Sequence, residues 1–472
     1  MLDLLIRGGK VVSPETTLAQ DVGVRDGKIV SLTVPGAGPT DAARVVDARG
    51  KYVLPGGIDA HVHFGIQFPA FRIQSPFDAS RAAACGGTTT IIDFAWQQHP
   101  HNTLMEAIHT KRAEMDEAMV VDYGLHAIIS GDVEQSVIEE VPQAIEYGIP
   151  TIKLFTCFPA GPGSAGFMVE DGRIWGIFQQ LSAHGGMAVL HVEDQCIIEQ
   201  ATRQLFREGR TEGKYIGEAR PHLAEVAALN RMLVLAEWTK TPIYFVHMST
   251  KEGVAAIAQA RAQRRPVYGE VLHHYLNFTN DDYFKPNGLI YHNYPPLRPK
   301  EDQDALWAGA LEGSLNVVAS DDFTVPLADK LLGQTVDNVT GGNNGVEIRL
   351  PIMFSEGVSK GRMSVNRMVA LTSTNPAKVF GMYPQKGFIG PGADADIVVV
   401  DPDLKKTITL ADLHSACDYT VWEGWELQGY PVMTVSRGSV VMEDGRFLGA
   451  RGAGRFIPRT LSPEVLAGPT VT

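Results

Sequence analysis

Apolar and polar positions along this chain follow two patterns. Through its centre, short apolar runs are separated by longer segments with helical periodicity, which is the pattern of parallel strand–helix units. Eight such runs predict strands with the bounds Gly57–His63, Thr88–Phe94, Tyr123–Ile129, Ile152–Phe155, Met187–His191, Ile243–His247, Pro266–Val271 and Val317–Ser320. Eight strands close a (β/α)8, or TIM-like, barrel, so we expect an α/β fold with a barrel over residues 56–385. The same periodicity would also fit an open parallel sheet, which is the alternative fold.

The two ends of the chain have shorter apolar runs, divided by turns rich in Gly and Asp. Near the N-terminus these runs are Leu5–Val12, Asp21–Val24 and Lys28–Leu32. Near the C-terminus they are Ala395–Val400, Thr420–Trp422, Val432–Ser436 and Ser439–Met442. Flanks of the same character predict one small β-sandwich domain formed by both termini, from residues 1–55 plus 386–460. Residues 461–472 are then a C-terminal tail.

Composition narrows the classes of partner and compartment. The 472 residues carry 41 basic and 54 acidic side chains, and this net charge of −13 argues against nucleic acid or an anionic membrane surface as a partner. No apolar run is long enough to span a bilayer, and the N-terminus lacks the apolar core of a signal peptide. The four cysteines form no CxxC pair, so we expect a cytoplasmic protein.

Four of the 14 histidines fall at the ends of predicted strands. His61 and His63 end strand 1, and their i, i+2 spacing turns both imidazoles to one face. The residues at the corresponding places of strands 4, 5, 6 and 8 are Lys153, His191, His247 and Asp321. In a barrel the C-terminal ends of the strands form one rim, where the catalytic groups lie. Nitrogen and oxygen donors gathered there predict a site for zinc, manganese, cobalt or nickel.

Each member of this set also has an ordinary explanation. His-x-His pairs arise often by chance, and we interpret the second pair, His99 and His101, as part of a solvent-facing loop. Lys153 in an apolar strand needs a carboxylate partner, a depressed pKa or a modification, unless it reaches solvent from the strand end. Asp321 is followed by Asp322, and such pairs are common in turns. The joint occurrence at five strand ends is what indicates a metal site.

Longer motifs surround these residues. They are Pro55–His63, Gly86–Phe94, Pro295–Arg298, Asn344–Glu347, Tyr383–Ile397, Glu423–Pro431 and Gly454–Arg459. Together with the strand-end residues, they resemble the hydantoinase/dihydropyrimidinase family of cyclic amidohydrolases, within the amidohydrolase superfamily. The similarity runs from residue 5 to residue 459, which is nearly the whole chain.

The resemblance implies two divalent metal ions, zinc by preference, bridged by an N6-carboxylated Lys153. It implies that His61, His63 and Asp321 bind the inner ion and that His191 and His247 bind the outer ion. It further implies that a metal-bridging hydroxide opens a small cyclic amide, ureide or imide, such as a hydantoin or a dihydropyrimidine. Asp321 would carry the proton from the hydroxide to the departing ring nitrogen. Relatives are commonly homo-oligomers, so we expect a tetramer or a dimer.

Four positions depart from the family pattern. Relatives usually carry a tyrosine five residues after the bridging lysine, whose hydroxyl steadies the oxyanion, whereas this chain has Phe158. Tyr294 stands where serine is common and Gly341 where asparagine is common, and we expect all three to contact the substrate. Histidine commonly follows the metal aspartate; here Asp322 either adds charge beside the ions or caps a helix. Either another donor, from Tyr123, Tyr294, His273 or His274, replaces the missing tyrosine hydroxyl, or the substrate differs from that of the relatives.

Two other functions fit the same framework. Allantoinases and dihydroorotases usually follow His-x-His with polar residues that meet a charged substrate, but here the segment 64–71 is apolar and favours an uncharged ring. Arg72 could still reach inward. Some vertebrate relatives are non-catalytic scaffolds that have lost their metal ligands, and this alternative is weakened because all six ligand positions are filled.

Overall fold

The computed structural model describes residues 1–66, 73–98, 102–161 and 164–471. Eight parallel strands form one sheet in chain order. Their bounds are Gly57–Asp59, Thr88–Trp96, Asp122–Ile128, Thr151–Phe155, Met187–His191, Ile243–Phe245, Val267–Leu272 and Val317–Ala319. Each lies where the hydrophobic pattern predicts a strand, and the α/β barrel fold is confirmed.

The barrel closes between its first and eighth strands, just beyond the last paired residue of each. Val62 pairs with Asp322 in a parallel bridge. The backbone N–H of His63 donates to the carbonyl of Asp322, and that of Asp321 donates to the carbonyl of His61. This seam therefore brings the two ends of the sheet together at the point where the candidate chemistry lies.

Helices fill the connections between strands. Their ends carry the usual local signals: Thr103 and Glu106 form a capping box before Leu104–Ala118, and Gly185 ends Asp171–His184 with a φ of 76°. The other α-helices are Pro76–Cys85, Gln135–Glu139, Val141–Glu146, Gln195–Glu208, Ile216–Ala219, His222–Thr239, Lys251–Ala262, Lys300–Glu312, Leu327–Lys330, Arg349–Ile352, Val365–Val369, Asn375–Val379 and Pro463–Ala467. Among the described residues, no helix is both long and apolar enough to cross a membrane.

A second sheet of nine strands combines both ends of the chain. Its strands are Leu2–Val12, Thr17–Arg25, Lys28–Thr33, Ala42–Asp47, Tyr52–Pro55, Ile397–Thr407, Glu426–Ser436, Ser439–Glu443 and Arg446–Phe447. The two ends meet where Tyr52–Pro55 pairs antiparallel with Ile397–Thr407. The strand predicted at Thr420–Trp422 is wrong: Val421 and Trp422 lie in a turn, where the buried Trp422 ring stacks on His273 at a centroid distance of 5.3 Å.

Buried polar contacts join this sheet and the C-terminal segment to the barrel. Lys386 is 1 % exposed, and its ammonium lies 2.6 Å from Asp122 at the start of the third barrel strand and 2.7 Å from Asp396. Residues 461–471 pack against the barrel: Val465 is buried, and its carbonyl accepts the hydroxyl of Tyr268. The segment predicted as a tail therefore contributes to the hydrophobic core.

Candidate metal centre

His61 and His63 meet Asp321 across the seam of the barrel. The Nε2 atom of each histidine lies 3.1 Å from Oδ1 of Asp321. The ring centroids of the two histidines are 5.2 Å apart, as their i, i+2 spacing predicted. His61 is 1 % and Asp321 5 % exposed, and the side chain of His63 is 13 % exposed, so the three side chains form a largely buried group of nitrogen and oxygen donors.

His191 and His247 form a second pair beside this group. Nδ1 of His191 lies 2.9 Å from Nε2 of His247. Donor atoms of His61, His247 and Asp321 all lie within 4.8 Å of one another, so the two groups are parts of one site. The backbone at His247 and Asp321 is left-handed, with φ of 38° and 51°. Such strained backbone in non-glycine residues is concentrated at functional sites.

Lys153 projects from the fourth barrel strand into the same region. Its side chain is 1 % exposed, and its Nζ lies 4.8 Å from the ring centroid of Phe155 and 5.4 Å from that of Phe94. Among the described residues no carboxylate lies within 4 Å of this nitrogen. Burial lowers the pKa of Lys153 to about 8, so the amine loses its proton more readily than a surface lysine.

The protonation states suit a divalent cation. Burial lowers the pKa of His191 to about 4 and holds those of His63 and His247 below the usual value, which favours the neutral imidazole that a metal ion binds. Burial alone would raise the pKa of Asp321, but the adjacent histidines outweigh it and the carboxylate stays ionised. Neutral imidazole nitrogens and a carboxylate oxygen are the donors that zinc and its neighbours take. The residues present therefore fit the metal site predicted from the sequence.

Two acidic residues that the sequence analysis did not single out orient the histidines. Nε2 of His191 lies 2.9 Å from Glu193 and donates its proton there, so the lone pair of Nδ1 points to His247. Nδ1 of His61 lies 2.8 Å from Glu270, which likewise leaves Nε2 free. Glu270 lies in an apolar barrel strand, and the reasoning that singled out Lys153 would have found it.

Two further groups of metal-binding side chains are already satisfied internally. Cys157 and Glu193 lie close to His191, but both carboxylate oxygens of Glu193 accept hydrogen bonds from Arg220, at 2.9 and 2.6 Å. That guanidinium opposes a cation there. Cys85 lies near Glu347 and His414; the carboxylate of Glu347 accepts both the backbone N–H and the Nδ1–H of His414 at 2.7 Å.

Aromatic rings border the histidines where the sequence predicted substrate contacts. The Phe158 ring lies 5.4 Å from that of His191 and 5.3 Å from that of Tyr294, between centroids. The Arg220 guanidinium lies 4.8 Å from the Phe158 ring and 4.5 Å from the Tyr294 ring. Gly341 lies directly against the Tyr294 ring. The three departures from the family pattern are therefore neighbours of the histidine site.

Tyr123 and Tyr294, two of the candidates to replace the missing tyrosine hydroxyl, use their hydroxyl groups in other hydrogen bonds. Tyr123 is the second residue of its strand and lies at the end of the barrel opposite the site, and its hydroxyl donates to Asp116 at 2.6 Å. The Tyr294 hydroxyl donates to the carbonyl of Val339 at 2.6 Å. The expectation that Tyr123 serves the site is wrong, because catalytic groups gather at the C-terminal ends of barrel strands.

The two adjacent histidines after strand 7 pack into the protein interior. Nδ1 of His273 lies 3.3 Å from the carbonyl of Ala319, and Nε2 of His274 lies 2.8 Å from that of Tyr291. Both rings also contact Trp422. Their hydrogen bonds to backbone carbonyls and their aromatic contacts assign them to packing rather than to the histidine site.

Asp322 turns away from the histidines. Its Oδ2 accepts the backbone N–H groups of Gly345 and Val346 at 2.9 and 3.0 Å, in the turn before Arg349–Ile352. Asp322 therefore turns away, as one interpretation expected, but it does not cap a helix: it binds the backbone of this turn, and the helix that follows has Ile348 at its N-cap with no side-chain hydrogen bond. Burial raises its pKa to about 6. The predictions for His99, His101, Arg72 and most of the apolar segment 64–71 fall outside the residues that the structure describes.

An eight-stranded barrel that gathers histidines, a carboxylate and a buried lysine at the C-terminal ends of its strands defines a class of barrel enzymes that work with bound metal ions. Comparison with known proteins identifies the family. The model of the amidohydrolase family matches residues 52–441. A D-hydantoinase of Streptomyces coelicolor is 36 % identical over 463 residues, which cover 96 % of this chain and 97 % of that protein.

Solved structures give the same result. The crystal structure of dihydropyrimidinase from Brevibacillus agri superposes with a TM-score of 0.92 at 35 % identity and covers 98 % of this chain and 100 % of that one. That of an L-hydantoinase (dihydropyrimidinase) from Arthrobacter aurescens has a TM-score of 0.90 at 31 % identity, with 97 % and 100 % covered. The chain belongs to the amidohydrolase family, in its hydantoinase/dihydropyrimidinase group.

Proposed function

We propose that this protein is a metal-dependent hydrolase that opens a small cyclic amide, ureide or imide ring of the hydantoin or dihydropyrimidine type. The observation that carries the proposal is the convergence of four histidines, an aspartate and a buried lysine at one end of the barrel. Similarity to hydantoinases over almost the whole chain supports this reaction class.

We propose two divalent ions at the site, zinc first, with manganese, cobalt or nickel as alternatives. The ligands are those that the resemblance implies: His61, His63 and Asp321 for one ion, His191 and His247 for the other, with carboxylated Lys153 between them. The buried position of Lys153 supports its modification, because carbon dioxide adds to a neutral amine and the carbamate replaces a poorly solvated cation by an anion between two cations.

Bound ions of this kind lower the pKa of water and polarise a carbonyl. The residues of the chain transfer the proton, orient the histidines and receive the substrate. Asp321 takes the proton of the attacking water and returns it to the ring nitrogen that leaves. Glu193 and Glu270 hold His191 and His61 in the tautomers that the site needs. We assign Phe158, Tyr294 and Gly341 to the pocket that receives the ring.

The aromatic rings next to the histidines favour an uncharged substrate with an apolar substituent. Trp96, Phe167 and Phe155 form a continuous wall with centroid distances of 4.7 Å, and Phe158 and Tyr294 extend it. Among the described residues, the guanidinium in contact with this wall belongs to Arg220, and Glu193 neutralises it. An allantoinase-like or dihydroorotase-like enzyme would meet a more polar or charged substrate, so we place these alternatives second.

The test is a panel of cyclic ureides, imides and lactams, including allantoin and dihydroorotate, assayed with metal-reconstituted protein. We expect turnover of a hydantoin or dihydropyrimidine and about two metal ions per chain. Asp321→Asn should keep at least one ion and lose turnover; turnover at the wild-type rate would refute its role as proton carrier. Purified protein that binds no divalent metal and has an unmodified Lys153 by intact mass would favour the scaffold alternative and overturn the proposal.

We also propose a cytoplasmic homo-oligomer, tetramer or dimer. The four cysteines are free, as in a reducing compartment. Large apolar side chains are exposed on two helices that contact each other: Trp175 is 50 %, Val234 55 % and Trp238 83 % exposed. Exposed apolar patches of this kind mark contact surfaces. Light scattering after gel filtration measures the oligomeric state, and a monomer would contradict this proposal.

A further inference from the structure

Lys330 is a second deeply buried lysine near the site. It ends the short helix Leu327–Lys330 and has no exposed surface. Its Nζ donates to the carbonyls of His292, Thr340 and Gly342, at 2.6, 2.9 and 2.6 Å. An ammonium group has three N–H donors, and here each has one acceptor. Burial lowers the pKa of Lys330 to about 7.

The three carbonyls belong to two segments that are distant in sequence. His292 comes two residues before Tyr294, while Thr340 and Gly342 flank Gly341. Tyr294 and Gly341 are two of the positions that we expect to contact the substrate. The ammonium of Lys330 therefore sets the spacing between the two segments that are expected to hold the substrate ring.

Asn293 connects the same two segments to the metal site. It is 4 % exposed, and its Nδ2 donates to Oδ2 of Asp321 at 2.8 Å. Its Oδ1 accepts the backbone N–H of Gly342 at 3.2 Å. Because Oδ1 of Asp321 faces the histidines, the amide of Asn293 determines the direction of the second carboxylate oxygen. One side chain thus touches both the proposed proton carrier and the proposed substrate segment.

We propose that Lys330 and Asn293 form one brace that fixes the position of the substrate-binding segments relative to Asp321. Both are positioning residues, and the inference rests on the proposed function. Without the ammonium of Lys330, three buried carbonyls lose their donors and the two segments separate. Without the amide of Asn293, the carboxylate of Asp321 keeps its contacts with the histidines but loses its orientation toward the substrate.

The experiment compares Lys330→Met and Asn293→Ala with wild type on the ring that the substrate panel identifies. We expect Lys330→Met to raise KM at least tenfold, and Asn293→Ala to lower kcat at least tenfold with little change in KM. Metal content should equal that of wild type in both variants. Errors in placement of about 1 Å are enough for effects of this size.

Lys386→Met is the matched control, because Lys386 is equally buried but binds Asp122 and Asp396 outside the site. It should lower Tm while leaving kcat and KM of the folded protein unchanged. If Lys330→Met does not fold, the kcat of Asn293→Ala decides. An active wild type whose folded variants keep its KM and kcat would overturn the brace but not the proposed function. A metal-loaded wild type that opens no ring would overturn both.

Discussion

Gly341 and the ring of Tyr294 are in direct contact, 47 residues apart in sequence. A Cβ atom built on Gly341 would lie 2.4 Å from Cδ2 of Tyr294, closer than real side chains approach. Relatives commonly have asparagine and serine at these two positions. The two departures from the family pattern are therefore one change: the tyrosine occupies the space that a side chain at position 341 would need.

This contact predicts strong coupling between the two positions. Gly341→Asn alone should destabilise the protein by about 1–3 kcal/mol and reduce activity, because the new side chain collides with the ring. In the Tyr294→Ser background the same substitution should be tolerated, with a coupling free energy of about 0.5–3 kcal/mol. A double-mutant cycle of urea unfolding measures it. Gly172→Ala, at a helix position with no neighbouring atom within 4 Å, is the control, and additive effects at 294 and 341 would contradict the prediction.

Removal of the Lys153 amine should abolish metal binding. We expect Lys153→Ala to lose both ions and to lose activity more than about 10³-fold, because several kcal/mol of charge stabilisation depend on the ions. Acetate or propionate should restore part of the metal binding and part of the activity, since a small carboxylate can enter the space of the missing carbamate. Metal analysis and turnover with and without the acid measure this, with propanol as the control for added volume. A variant that keeps two ions without added acid would refute the bridging role.

Phe158→Tyr restores the hydroxyl that relatives usually carry. One oxyanion donor is worth about 10²–10³ in kcat, so hydrolysis of hydantoin or dihydrouracil should rise at least tenfold if the missing donor limits these substrates. Phe167→Tyr adds a hydroxyl to the same aromatic wall and serves as the control. Unchanged kcat in Phe158→Tyr would mean that the pocket is adapted to another ring.

His414 should make stability depend on pH. Its hydrogen bond to Glu347 raises the pKa of His414 in the folded protein above the unfolded value of about 6.5. The resulting stabilisation is complete below pH 6.5 and declines as the pH rises through the folded pKa. The stability difference between wild type and His414→Gln should therefore be larger at pH 6 than at pH 9, as measured by urea unfolding. In the Glu347→Gln background this pH dependence should disappear; if it persists there, the carboxylate is not its cause.

Much of the site could be predicted because it depends on local patterns. The eight barrel strands follow from alternating apolar and helical segments, and side chains at strand ends reach one rim for geometrical reasons. This reasoning predicted six residues that the structure places at one end of the barrel: His61, His63, Lys153, His191, His247 and Asp321. The prediction at Thr420–Trp422 failed because a buried tryptophan in a turn has the same local pattern as a strand.

The sequence by itself determined the fold class, the family resemblance and the positions of the histidines, because each depends on residues that are neighbours along the chain. Only the tertiary structure decided which residues contact the site residues: Glu270 lies beside His61, Arg220 contacts the rings of Phe158 and Tyr294, and Asn293 binds Asp321. These partners lie on different strands and loops, and they meet only after the barrel closes. Local periodicity carries no information about such contacts, because burial and packing across the barrel determine them.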